Sequence, residues 1–162
     1  MNRTVTLALL TAFCSVALGA DPPPVVSYST KAKFEDVRDD LKSAIEGQGL
    51  VIDYHSFINK MIERTGKDLG ATRKVYADAQ AFVFCSAGLS RKTMEADPAN
   101  AAMCPYTMTV YATAQEPDKV HVAYRRPWRP GGSAASKAAL KDVEALLDGI
   151  ARTSLGMPSG KR

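Results

Sequence analysis

The sequence predicts an α+β fold, a two-layer sandwich in the order β-α-β-α-β-α-β-β-α, with a mixed sheet and helices on one face. Apolar residues recur alternately at helical spacing and at strand spacing along most of the chain. The turn-forming residues Glu116, Pro117 and Asp118 separate two strand-like runs, which predicts one antiparallel hairpin. A chain of 162 residues is long enough to bury a core as a single domain.

The strand-like and helix-like segments can be justified one by one. In the first helix, Phe34, Val37 and Leu41 recur at helical spacing, and Gly47 or Gly49 can end it in a left-handed cap. The third strand is apolar on both faces, so we expect it inside the sheet. The predicted strands are 25–32, 50–57, 79–87, 106–114 and 119–126, and the predicted helices are 34–46, 58–69, 89–98 and 136–155.

The first 20 residues have the layout of a secretory signal peptide. Arg3 precedes an apolar run over 5–18, and the small residues Gly19 and Ala20 follow it. The run is shorter than the roughly 20 residues that span a bilayer. We therefore expect cleavage near Ala20, a periplasmic or secreted protein, and no stable membrane anchor. The predicted division is 1–20 signal peptide, 21–32 extended leader and first strand, 33–156 single α/β domain and 157–162 flexible tail.

The charge is only mildly basic, with 21 Lys and Arg residues against 17 Asp and Glu. This balance favours solubility and weak attraction to anions, and it gives no support for nucleic-acid binding. The expected partner is a small anionic ligand or another protein, and homodimerisation stays open.

Two of the three cysteines, Cys85 and Cys104, remain once Cys14 is removed with the signal peptide. An even number of cysteines in an oxidising compartment favours a disulfide. The bridge requires the third and fourth strands to be antiparallel, or at least to bring these two ends together. Two unpaired buried thiols, or a redox pair in which Arg91 and Lys92 lower a thiol pKa, are alternatives.

A metal site is a further alternative for the two cysteines. It would need a third and a fourth ligand. The weak candidates are His55, His121 and Met103, but strand histidines and methionines more often serve as core or partly buried side chains. We expect no metal and no cofactor.

A second unusual stretch is YRRPWRPGG, residues 124–132. Arginine forks beside an aromatic ring can bind a carboxylate, sulfate or phosphate. The candidate anion-binding residues are Arg125, Arg126, Trp128 and Arg129. The alternative is a surface loop that places Trp128 against the core.

Several patterns recur together between about Lys33 and Leu155. They are FEDVRDDLKSAIEGQGLVI, AFVFCSAGLSRKTMEADP, the proline of CPYTMTVY, and VHVAYRRP. In order and spacing they resemble domain-of-unknown-function family 302. The resemblance implies a compact α/β domain, in some members exported, and offers no catalytic residues.

The chain departs from that family pattern at two places. Cys85, Ser86 and Ala87 stand where the family usually has Gly-Asn-Pro, and Cys104 stands where it usually has Leu before the proline. Because both departures introduce a cysteine, they indicate that the two positions are neighbours in space.

The motifs favour a ligand- or partner-binding accessory module over an enzyme. No Ser-His-Asp order, metal-ligand cluster or phosphate-binding loop stands out, and we expect no catalytic residues. The alternative is a thiol- or metal-dependent redox protein that uses Cys85 and Cys104.

Overall fold

The computed structural model describes residues 21–158. The predicted signal peptide and residues 159–162 of the predicted tail lie outside this range. The strands are β1 Val25–Lys31, β2 Ile52–Phe57, β3 Tyr76–Phe84, β4 Tyr106–Thr113 and β5 Lys119–Arg125, and the helices are α1 Phe34–Glu46, α2 Ile58–Asp68, α3 Ala87–Ala96 and α4 Ala134–Ser154. A short 3₁₀ helix, Pro98–Met103, follows α3.

The strands form one five-stranded sheet in the order β1-β5-β4-β3-β2. The predicted α+β sandwich is confirmed, but the sheet is not mixed, because all four pairings are antiparallel. The reason is visible between β3 and β4. Helix α3 and the 3₁₀ helix return the chain to the end of the sheet that it left, so Phe84 pairs with Tyr106. The strand β3 is interior, as predicted, although the middle strand is β4.

The core lies between one face of the sheet and helices α1 and α4. Alternate residues of the strands point to this face, as the period of two requires. Leu41 and Ile45 of α1 meet Val143 and Ile150 of α4 in the same cluster of buried side chains. Helix α3 packs beside α4. This layer fixes the ends of β4 and β5, where the candidate site lies.

Helix α2 contributes less to the core than its sequence pattern predicts. It contacts β3, yet none of its residues is buried. The helical spacing of Ile58, Met61 and Ile62 predicts that all three lie on one side of α2. Ile58 and Ile62 are half-buried, whereas Met61 is 53% exposed. The apolar stripe of α2 is therefore only partly covered by the domain.

Two local features refine the sequence analysis. Gly49, not Gly47, takes the left-handed conformation, with φ of 71°, three residues after α1 ends. Asp97 separates α3 from the 3₁₀ helix and accepts a hydrogen bond from the Ala99 N–H at 2.9 Å. The pattern of apolar residues had not predicted the 3₁₀ helix. No helix within residues 21–158 is both long enough and apolar enough to cross a membrane.

Candidate functional site

A cleft opens where β4 and β5 diverge. Their last paired residues are Met108 and Tyr124. Beyond this point β5 stays with β1, because Val25 still pairs with Arg125. Arg126 continues the association by donating its N–H to the Pro24 carbonyl at 2.9 Å. The end of β5 therefore follows the leader and not β4, and this divergence creates the cleft.

The cleft has a volume of about 440 Å³. Its lining combines apolar side chains with hydroxyls and guanidinium groups. Two arginines line it, and none of its lining residues is acidic. The polar lining residues are Tyr106, Thr107, Thr109, Tyr124, Arg125 and Arg126. Such a lining can bind a small anion through charge-assisted hydrogen bonds.

The three predicted arginines are not brought to one point. Arg126 forms an ion pair with Glu144 of α4 and donates from Nε to the Pro23 carbonyl at 3.0 Å. Arg129 lies 2.6 Å from an Asp97 oxygen. These two arginines hold the leader and the loop in place. Within residues 21–158, Arg125 forms no ion pair, and its side chain is exposed.

Asp97 and Trp128 show how the loop after β5 is fixed. The pKa of Asp97 is held below its usual range, first by the Ala99 N–H and then by the Arg129 guanidinium. Trp128 is half-buried, and the Lys137 ammonium lies 5.8 Å from the centre of its ring. Trp128 therefore serves the packing of this loop and does not line the cleft.

The two cysteines lie together beside the cleft. Cys85 follows the end of β3, and Cys104 stands in the chain between Met103 and Pro105, which both line the cleft. The Cys85 thiol is within hydrogen-bonding reach of Cys104. Cys104 Sγ also accepts from the Ser90 hydroxyl at 3.5 Å. The antiparallel pairing of β3 and β4 thus provides the condition that the predicted bridge required, and the structure holds both residues as thiols.

The surroundings of Cys85 work against a reactive thiolate. Burial, followed by the hydrogen bond to Cys104, raises the pKa of Cys85 to about 12. Burial also raises the pKa of Tyr106, whose hydroxyl lies 3.2 Å from Ser90 Oγ. The thiolate is the nucleophilic form of cysteine. Cys85 is therefore protonated, and poorly nucleophilic, near neutral pH.

The histidines proposed as weak metal ligands lie on opposite faces of the sheet. His55 pairs with Phe82, Phe82 with Met108, and Met108 with Tyr124, so His55 and Tyr124 lie on the same face of the sheet. His55 Nε2 lies 2.8 Å from Gln80 Oε1. His121 is three residues from Tyr124, so its side chain points to the other face, where it stacks on Tyr111 at 4.7 Å. Burial lowers the pKa of His121.

The structure does not bring the three weak candidates to one point, because the two histidines lie on opposite faces of the sheet. Met103 lines the cleft. Within residues 21–158, no three His, Cys, Asp or Glu side chains converge on a point that could hold a metal ion.

Comparison with known proteins identifies the domain. A family model described as "Domain of unknown function DUF302" matches residues 26–153. The chain belongs to this family. The resemblance in its sequence is thereby confirmed. The matched region includes all five strands and all four helices, apart from the first residue of β1 and the last residue of α4. No curated protein matches the chain.

A solved structure shares the DUF302 fold. It is the crystal structure of an uncharacterised conserved DUF302 protein from Bacillus stearothermophilus. The two proteins are 12% identical, with a TM-score of 0.66, and the similarity covers 81% of this chain and 98% of the other. At this identity the likeness concerns the fold alone, so a function has to be argued from the site.

Sequence reasoning missed several residues of this site. Thr107, Thr109 and Tyr106 read as ordinary alternating strand residues, and only the divergence of β4 and β5 turns them into a cleft lining. Ser90 read as one residue of a short helix, yet it lies 8% exposed between Cys104 and Tyr106. The proline-rich leader was the one signal in the sequence for how this end of β5 is held, because the carbonyls of Pro23 and Pro24 accept hydrogen bonds from Arg126.

Proposed function

We propose that this DUF302 protein is an exported accessory module that holds a small anionic ligand in the cleft between β4 and β5, without turnover. One observation carries the proposal. Arg125 forms no ion pair within residues 21–158 and lies at a cleft whose lining contains no carboxylate. A guanidinium in that position offers a planar, permanently charged fork for a carboxylate or an oxyanion.

The size and the walls of the cleft narrow the class of ligand. A volume of about 440 Å³ is in the range of small-molecule sites. Thr107 and Thr109 supply hydroxyls, while Val25 and Leu147 supply apolar surface. This combination favours a small organic anion with an apolar part over a bare inorganic ion. A cleft of this size is too small to serve by itself as a protein interface.

The contact between the two cysteines favours a second candidate function, a thiol-dependent redox protein. The raised pKa of Cys85 argues against it, because a redox cysteine needs accessible thiolate. For its metal-dependent form, no third His, Cys, Asp or Glu side chain joins the two cysteines among the described residues. A structural disulfide that fixes one wall of the cleft would need neither an accessible thiolate nor a third metal ligand, so it explains the cysteine pair more simply.

Export is part of the proposal and rests on the layout of residues 1–20. The leader that follows them is exposed at Asp21 and Pro23, and β1 begins at Val25. We expect the intact mass of protein isolated from its own cells to correspond to a chain that begins at Asp21. A mass that retains Met1 would contradict both the signal peptide and the oxidising compartment assumed for the cysteines.

Ligand binding predicts a specific gain in thermal stability. At about ten times its Kd, a bound anion stabilises the native state by about 1.4 kcal/mol, which raises Tm by roughly 3–5 °C for a domain of this size. Benzoate is a suitable first probe, because it joins a carboxylate to an apolar ring. The Arg125→Gln variant should lose most of this rise, because its amide has no charge to offer.

The control removes an equal charge elsewhere. Arg91 is 81% exposed at its side chain and lies on α3, outside the cleft lining. The Arg91→Gln variant should keep the full response to benzoate. Sulfate stabilises many proteins by exclusion from their surface, so its effect alone would not discriminate. An equal benzoate response in Arg125→Gln and wild type would refute the cleft as the ligand site.

A further inference from the structure

The surface formed by α2 and its flanks is an apolar feature that the proposed ligand site does not use. Three large side chains along it are exposed to solvent: Phe57 by 42%, Met61 by 53% and Leu69 by 78%. Phe57 and Leu69 flank the two ends of α2 and Met61 lies in its first half, so these three side chains form an exposed apolar row along the segment. Clustered exposed apolar side chains of this kind are typical of interaction sites.

The arrangement of α2 explains why this row is left uncovered. The apolar stripe of the helix is two rows wide. The inner row, Ile58, Ile62 and Gly66, is half-buried, on the side of the contact with β3. The outer row, Phe57, Met61 and Leu69, is more exposed, although the Phe57 ring also packs on His55 at 4.5 Å. An amphipathic helix whose outer apolar row stays largely uncovered within residues 21–158 is suited to meeting another surface.

The charge on the same segment identifies that surface. Residues 58–75 contain five basic residues and two acidic ones, while the whole chain has a formal net charge of +4. With five basic and two acidic residues, this segment carries a net charge of +3. Lys60 and Arg64 occupy the helical row next to the exposed apolar row. The Lys60 ammonium lies 4.5 Å from the centre of the Phe57 ring.

We propose that α2 docks this domain on an anionic lipid surface. The apolar row would enter the headgroup boundary, and the basic residues would face the anionic headgroups. A helix with a strong apolar side and Lys and Arg beside it is typical of such interfacial binding. A second copy of the chain fits the surface less well, because two positively charged segments would repel each other.

The proposal can be tested with vesicles and two pairs of substitutions. The wild-type protein should cosediment with vesicles that contain phosphatidylglycerol, should bind phosphatidylcholine vesicles weakly, and should be released by salt. The Arg64→Gln, Lys67→Gln variant should lose roughly thirtyfold in affinity, the factor expected for two basic residues at an anionic surface. The Met61→Ser, Leu69→Ser variant should lose binding because it no longer buries apolar side chains.

The matched controls make the same kinds of substitution at exposed positions outside α2. Val51→Ser changes a side chain that is 75% exposed at the far end of β2, and Lys33→Gln with Lys141→Gln removes two exposed charges. Both controls should bind as the wild type does, and all variants should keep its melting temperature.

Three results would each overturn the proposal. The first is that the wild type binds neither kind of vesicle. The second is that Arg64→Gln, Lys67→Gln binds phosphatidylglycerol vesicles as tightly as the wild type. The third is a concentration-dependent dimer in analytical ultracentrifugation that Met61→Ser, Leu69→Ser abolishes, which would assign the apolar row to a second copy of the chain.

Discussion

Replacing both Cys85 and Cys104 with serine is expected to lower the free energy of unfolding of the oxidised protein by about 2–4 kcal/mol. The expectation rests on the pairing of Phe84 with Tyr106, which brings the two residues together, and on the contact of their thiols. A bridge here would close the loop made by α3 and the 3₁₀ helix. It would stabilise the fold by restricting the unfolded chain. Denaturant unfolding measures the difference, and the variant should still fold because the core does not depend on the bridge.

The reduced wild type is the matched control for this change. Strong reductant should bring its stability close to that of the double serine variant and should leave the variant itself unchanged. The protein as isolated from an oxidising compartment should show no titratable thiol. Two free thiols in that preparation would contradict the bridge. Unchanged stability of the variant together with loss of an activity would move the pair from a structural role to a chemical one.

The same site predicts how the reduced protein should react with alkylating reagents. Because burial and Cys104 raise the pKa of Cys85 to about 12, its thiolate is scarce at neutral pH. The alkylation rate at Cys85 should then increase about tenfold per pH unit across the range that the fold tolerates. A rate that already levels off near neutral pH would indicate a low-pKa thiol and would favour the redox function.

Much of the fold could be predicted because the local patterns agree with it. The strand periodicity around Phe82 and Val122 and the helical periodicity around Leu41 correspond to buried faces of the structure. The hairpin of β4 and β5 was predicted from its turn residues, but the direction of pairing between β3 and β4 could not be predicted in the same way. It depends on the path of α3 and the 3₁₀ helix between β3 and β4, which apolar spacing does not specify. The same spacing placed Met61 with Ile62, although only the inner row of α2 meets the domain.

The candidate site was predictable only in part, since its chemistry depends on partners distant in sequence. The composition of the loop after β5 singled out Arg125, Arg126 and Arg129 as one group. Glu144 and Asp97, which pair with two of them, come from α4 and from the end of α3. Cysteine placement was more informative, because the departures from the family pattern at Cys85 and Cys104 indicated proximity without any knowledge of the sheet.

Replacing Asn100 with leucine is expected to destabilise the protein by about 2–4 kcal/mol. Asn100 is fully buried. Its Nδ2 donates to the Thr93 carbonyl at 2.8 Å and to Ser136 Oγ at 2.9 Å, and its Oδ1 accepts from Arg129 Nη1 at 2.9 Å. One amide thus joins α3, α4 and the loop after β5. Leucine has a similar size but would leave the buried Ser136 hydroxyl without its partner, and the Thr93 carbonyl would keep only the Asp97 N–H.

Denaturant unfolding again measures the loss, with Gln115→Leu as the control. Gln115 is exposed between β4 and β5, so the same change of polarity there should alter stability by no more than about 0.5 kcal/mol. In Asn100→Leu, Arg129 keeps Asp97 as a partner, and the loop should therefore loosen without detaching. The benzoate response through Arg125 should accordingly weaken but persist. A stability within about 0.5 kcal/mol of wild type would show that the surrounding polar groups find other partners, and that Asn100 does not hold the site together.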